Sequence, residues 1–225
     1  MKALLATVVL LSSLVQGGTY DLLWKPKAGQ KLTYALRVEG KTDANFTMTS
    51  DVILSVKKVE PNGDYTLGTT FKGMVANFFG EEQKMPDEPE EVQRFNVRGD
   101  LIDPEKPGED DGDVVGELMS RASEYVPPLK SVAVGESWKH EFAAEKKWDL
   151  PKAIGTYSLV SESDGKLKVS IDYVEQSGVE PTRAKGFAII DAKDGALILV
   201  ESEIKNLRFQ EGTPSGTAKL SMTRK

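Results

Sequence analysis

The stretch Phe46–Phe71, FTMTSDVILSVKKVEPNGDYTLGTTF, decides what kind of fold this chain builds. Phe46, Met48, Val52, Leu54 and Val56 share one parity, and Thr47, Thr49, Asp51, Ser55 and Lys57 the other. A period of two puts the apolar set on one face of a sheet and the polar set on the other. The run meets Asn62-Gly63, after which Tyr65, Leu67, Thr69 and Phe71 resume the alternation. Asn-Gly favours a two-residue turn with positive φ at both positions, so the spacing predicts an antiparallel hairpin.

Working outward, the same pattern recurs. Leu32, Tyr34, Leu36 and Val38 alternate with Lys31, Thr33, Arg37 and Glu39 upstream. Downstream, Asp164-Gly165 precedes an in-phase set of Leu167, Val169, Ile171 and Tyr173, and Asp194-Gly195 interrupts FAIIDAKDGALILVES. EIKNLRF and TAKLSMTRK read as separate closing strands. KPKAGQKLTYAL at Lys25–Leu36 and KSVAVGESWKHEF at Lys130–Phe142 share a basic start, a Gly, an acidic or amide residue and an aromatic within an alternating run.

The expected fold is therefore mainly β: a large curved antiparallel sheet or open β-barrel, built from two similar meander halves with one short helix between them. The halves span about residues 22–102 and 131–225 of a single β domain, 18–225, and an acidic loop and helix segment joins them over about 103–130. Asp113 is placed to cap that helix, Val114, Val115, Leu118, Met119, Ala122 and Tyr125 fall near helical spacing, and Pro127-Pro128 stops it. GEEQKMPDEPEEV, acidic and broken by prolines, reads as a loop.

At the N-terminus, Lys2 precedes an apolar run from Ala3 to Val15, with Val15 and Gly17 as small residues before a cut, so residues 1–17 read as a signal peptide. The run is short of the roughly 20 residues that span a bilayer, and no transmembrane anchor is expected. The expected location is extracytoplasmic, periplasmic or secreted. The 225 residues include no Cys, so an exported domain must stand on its apolar core without disulfides. The formal net charge of −6 with scattered basic residues gives phosphate backbones nothing to bind, which excludes nucleic acid as a partner.

The sequence contains no nucleophile elbow, phosphate loop or zinc-protease motif. His140 is the only histidine, and its parity with Trp138 and Phe142 points it toward a core or cavity rather than a metal. EDDGDVVGE, residues 109–117, lacks the ligand spacing of a calcium loop. No enzyme activity, cofactor or metal is expected. Phe71, Met74, Phe78 and Phe79, with Trp138 and His140, are the candidate lining of a site for a lipid or other amphipathic small molecule, or for an envelope protein. A structural or protein-interaction module with a filled core is the alternative. A hydrolase using His140, or two carboxyls about 5 to 9.5 Å apart, ranks third.

KAGQKLTY, FTMTSDVILSVKKVEPNGDYTL and PPLKSVAVGESW together resemble the pattern of a family of exported bacterial β proteins known as a domain of unknown function. The resemblance implies export and a β fold and brings no catalytic residues with it. At the level of fold analogy, long curved strands with a covering helix also resemble the periplasmic lipoprotein carriers, which hold acyl chains in a half-barrel.

The signal reading has a direct check. N-terminal sequencing of protein from its native host should begin near Gly18 on material found outside the cytoplasm, whereas a cytoplasmic product retaining Met1 contradicts it.

Overall fold

The computed structural model describes residues 18–41, 45–78, 80–102, 114–145, 150–176, 180–207 and 216–225. The strands are β1 (Lys31–Lys41), β2 (Asn45–Val59), β3 (Tyr65–Phe78), β4 (Glu81–Lys84), β5 (Glu91–Phe95) and β6 (Leu101–Ile102). After the helix α1 (Val114–Ser123) come β7 (Ser137–Phe142), β8 (Ala153–Ser163), β9 (Lys166–Glu175), β10 (Arg183–Asp191), β11 (Leu197–Leu207) and β12 (Gly216–Arg224). All belong to one antiparallel sheet, ordered β6-β5-β3-β2-β1-β12-β11-β10-β9-β8-β7, with β4 paired to the far end of β3. The sheet is not closed into a barrel, because β6 and β7 are its two free edges. Each half is a meander. The two meet where the first strand pairs with the last, from Tyr34↔Arg224 to Lys41↔Thr217.

Two matching turns launch β1 and β7. Gln30 N–H donates to the Lys27 carbonyl at 2.9 Å, and Glu136 N–H to the Ala133 carbonyl at 3.0 Å. The third residue of each turn, Gly29 (φ 81°) or Gly135 (φ 93°), takes a conformation that a side chain resists. The side chain of Gln30 accepts the Lys27 N–H at 3.0 Å, as that of Glu136 accepts the Ala133 N–H at 2.8 Å. Gly29 then donates to the Val56 carbonyl at 2.9 Å and Gly135 to the Leu159 carbonyl at 2.7 Å. Just past these contacts both ladders slip by a bulge, between Val56 and Lys58 and between Leu159 and Ser161.

The reversals differ in detail from the sequence pattern. Asp164 (φ 52°) and Gly165 (φ 71°) form the expected two-residue turn. At Asn62-Gly63 only Gly63 has positive φ (91°), because Pro61 commits the preceding residue to an ordinary turn and moves the reversal back by one position. Gly63 N–H donates to the Glu60 carbonyl at 3.0 Å and Glu60 N–H to the Asp64 carbonyl at 2.7 Å, a three-residue loop closed by the glycine. At Asp194-Gly195 again only the glycine is left-handed, inside a four-residue loop closed by Asp191 N–H to the Ala196 carbonyl at 2.9 Å.

Three further segments depart from expectation. The acidic loop contains β4, whose four exposed residues pair with Val75–Phe78 and so continue a hairpin. EIKNL is the second half of β11 rather than a strand of its own. The helix ends at Ser123, ahead of the prolines, where the Ser123 hydroxyl donates to the Met119 carbonyl at 2.6 Å. Asp113, the expected cap, lies outside the described residues, as does the expected signal peptide.

Register assigns the faces. One inner-face rung runs Trp138, Tyr157, Ile171, Gly186, Ser202, Leu220, Val38, Met48, Ala76 across nine strands. α1 lies on this face, chiefly against β9, β10 and β11, and buries Leu118, Met119 and Ala122. It can seat closely because β10 presents only Ala184, Gly186 and Ala188 beneath it. The core around it contains Leu159, Leu167, Val169, Ile190 and Ile204, all fully buried. A smaller core closes the other flank, where Tyr65 meets Trp24 edge-on (5.2 Å) and stacks on Phe95 (5.6 Å) beside Val56 and Leu67.

Gly186 marks a close approach between strand backbones. A Cβ there would collide with the backbone carbonyl of Glu201 on β11, and strand backbone cannot give way as a side-chain tip can. Gly165→Ala meets open space and only opposes its positive φ, a cost of about 1 kcal/mol. Gly186→Ala forces the ladder apart, and urea unfolding should show it losing about 3 kcal/mol. Equal losses for the two variants would contradict the close approach.

Candidate functional site

The inner face divides into two sectors. Under α1 the side chains of β8 to β11 are sealed. Over β12, β1 and β2, Leu36, Phe46, Met48, Leu220 and Met222 remain half-buried although they point the same way. Register makes them one surface: Leu36 lies between Ser50 and Met222, Val38 between Met48 and Leu220, and Gly40 beside Phe46. The Phe46 ring covers Gly40, where a Cβ would strike it, and stacks against Phe78 (5.9 Å between centroids, 24° between planes). Phe78 is 45% exposed, which leaves one end of the apolar sector open to water. Two methionines beside aromatics and leucines make a lining that adapts to irregular apolar shapes.

The residues singled out from sequence separate into two places. Phe71 lies opposite Val52 on the inner face of β3, and Phe78 pairs with Phe46 at the far end of that strand. Met74 is half-buried where β3 carries Gly73 and Met74 opposite the single Ser50, a bulge with Gly73 at φ 58°. Phe79 lies outside the described residues. Trp138 and His140 sit on the edge strand β7, at the other end of the sheet order from β3. Trp138 stacks on Tyr157 (5.7 Å) and its indole N–H donates to the Val126 carbonyl at 2.8 Å. His140 meets the Phe142 ring edge-on at 4.5 Å. Sequence reasoning missed Leu36, Phe46, Met48, Leu220 and Met222 as site residues because their parity marks them as core, and no local signal says that the helix stops short of them.

The β7 flank carries the buried charge. The Arg121 side chain, 3% exposed, donates from Nη2 to the Pro151 carbonyl at 2.9 Å, lies 5.1 Å above the Phe142 ring and has Nη1 4.0 Å from Glu145 Oε1. Burial, then the Arg98 and Arg121 charges, hold the His140 imidazole below its usual range against the pull of Asp100 and Glu141. Arg98 and Asp100 belong to the β5–β6 turn, so the two free edges of the sheet come within charge range of each other. Among the described residues no cluster of three His, Asp or Glu is arranged to hold a metal, and no helix is long and apolar enough to cross a membrane.

Depressions on the outer face have a different character. One of about 390 Å³ is lined by Arg37, Glu39, Lys185, Glu201, Glu203 and Lys219 around Phe187. Another, of about 520 Å³, lies along Thr49, Asp51, Lys72 and Gly73. Their volumes suit a small ligand, and charged side chains from neighbouring strands ring both of them. A scan against protein-family models finds no match, and neither does a search of the curated proteins, so the site is read from its own geometry.

Glu124, just past α1, is raised to about 7 by burial first and then by the negative charges of Asp100, Glu117 and Glu145, with Arg121 opposing. The residue keeps an exposed surface, so solvent screening trims the effect. A carboxyl with a raised folded pKa binds its proton more tightly folded than unfolded, so stability falls as pH climbs from the unfolded value toward about 7. Glu124→Gln should therefore raise the melting temperature at pH 8 and change it little at pH 4. A pH-independent difference would remove this account.

Proposed function

We propose that this is a non-catalytic exported protein that holds the apolar part of a lipid or other amphipathic small molecule against the inner face of β12, β1, β2 and β3. One observation carries the reading: seven apolar side chains, Leu36, Phe46, Met48, Phe71, Phe78, Leu220 and Met222, share a sheet face beyond the strands that α1 chiefly packs on, and none of them is fully buried. Leaving so much apolar area short of full burial has a cost that a bound apolar group would offset, at roughly 25 cal/mol per Å² covered. The site is an open groove rather than the enclosed cavity of a sealed carrier. The matched turns and bulges at Gly29 and Gly135 support reading the chain as a duplicated half, with two meanders contributing one wall each.

A second reading is a structural or protein-interaction module, free of any small ligand, in which the same face meets an envelope protein. It is favoured by the completeness of packing under α1, where the sheet interior is filled rather than hollow.

The experiment is ligand retention. Protein purified from a bacterial host with a normal envelope should carry lipid or amphipathic material in native mass spectrometry and, once stripped, take up a fluorescent fatty acid. Met48→Gln with Leu220→Gln, which flank Val38, should weaken uptake by about tenfold while lowering the melting temperature by no more than about 5 °C, since half-buried side chains contribute only part of a core residue's burial. A wild type that emerges ligand-free and takes up nothing leaves the interaction-module reading in its place.

A further inference from the structure

We propose that the molecule held on this face is a single-chain amphipath with a carboxylate head group, and that Arg224 receives that carboxylate; the inference rests on the groove reading above. Arg224 follows Met222 by two residues on β12 and stands opposite Tyr34 in register, so it belongs to the inner face at the end of the apolar sector. Tyr34 is fully buried and its hydroxyl is already committed, donating to the Leu197 carbonyl at 2.9 Å. The Arg224 side chain is 26% exposed, and its partner among the described residues is Asp191, with Nη2 3.5 Å from Oδ2. That separation is longer than the roughly 2.7 to 2.9 Å of a charge-assisted hydrogen bond. Asp191 is in turn occupied by its own turn, where Oδ1 accepts the Lys193 N–H at 3.0 Å. A guanidinium offers five N–H donors in a fork that fits a carboxylate, and here most of them remain for a ligand.

The neighbouring charges set the class of head group. Lys225, the next residue, is tied to Asp51, its Nζ 2.7 Å from Oδ2, which leaves Arg224 as the cation facing the groove. Asp191 and, through its effect on Tyr34, Asp194 lie on the same β10–β11 turn. One negative charge can share Arg224 with Asp191, whereas a dianionic phosphate would sit against two carboxylates. The length fits as well. From Tyr34 to Gly40, beside which Phe46 and Phe78 mark the far end, β1 advances about 20 Å at roughly 3.3 Å per residue, the reach of a long acyl chain.

The test displaces a neutral fluorescent hydrocarbon probe from stripped full-length protein at pH 8, using palmitate, the alcohol of the same chain length and an alkyl phosphate. Palmitate should compete at about tenfold lower concentration than the alcohol, the factor expected for a hydrogen bond to a charged group. Arg224→Gln should reduce that preference to about twofold or less and leave the alcohol unchanged, and Arg224→Lys should retain part of it. Asp191→Asn, which frees the guanidinium without altering it, should tighten palmitate alone and keeps the proposal testable if the Gln variant fails to fold. Palmitate and alcohol competing equally against wild type, a preference that survives Arg224→Gln, indifference to Asp191→Asn, or a stronger alkyl phosphate would each overturn the carboxylate assignment while leaving the groove standing. If the probe itself does not bind, the groove reading fails and this inference with it.

Discussion

The pairing of the first strand with the last is the constraint on which the rest of this structure depends. β1 and β12 meet in the middle of the sheet, joined from Tyr34↔Arg224 to Lys41↔Thr217, and the Lys225 N–H extends the ladder to the Thr33 carbonyl at 2.9 Å. The two meanders become one sheet only through this seam. Its residues are separated by almost the whole chain, so the loop-closure entropy must be met by both meanders before the seam contributes anything. The same seam forces β6 and β7, consecutive in the chain, to the two outer edges. The segment between them must travel from one edge to the other, and α1 lies along that path on the inner face.

The position of α1 follows from side-chain size. A helix needs close approach to bury its stripe, and β10 allows it by presenting Ala184, Gly186 and Ala188. Arg121 fastens the helix to the β7–β8 end through the Pro151 carbonyl and the Phe142 face. Over β12, β1 and β2 the inward residues include Leu36, Met48, Leu220 and Met222, with small residues at Gly40, Ser50 and Ala218 among them. A helix seated at the Ala and Gly positions cannot also reach these.

Without disulfides, stability must come from the sealed sector and from the small cluster around Tyr65. That arrangement separates roles along one sheet. β8 to β11 supply most of the fully buried side chains, while the seam strands add Tyr34, Val38 and Ala218 beside apolar groups that are only part-buried. It also explains why the aromatic residues most conspicuous in the sequence do different jobs. Trp138 is held in the sealed sector by Tyr157 and the Val126 carbonyl, whereas Phe78 meets Phe46 at the open end.

The sequence by itself determined the local conformations and the faces. Alternation in Phe46–Val56 and Leu167–Tyr173 identified strands and the side each residue takes, because a period of two is a property of the strand alone. The Asp164-Gly165 reversal and the helical spacing of Val115, Leu118, Met119 and Ala122 were legible because they too are set by neighbouring residues. Tertiary structure decided the rest. β4 formed because β3 offered it an edge, and EIKNL joined β11 because β10 and β12 pair with it on both sides as far as Lys205. Leu36, Met48, Leu220 and Met222 carry the same parity as the sealed core, and Arg224 carries it too. Parity states which face a side chain takes, but whether anything covers that face depends on packing between segments far apart in the chain, and that is settled only when β12 finds β1.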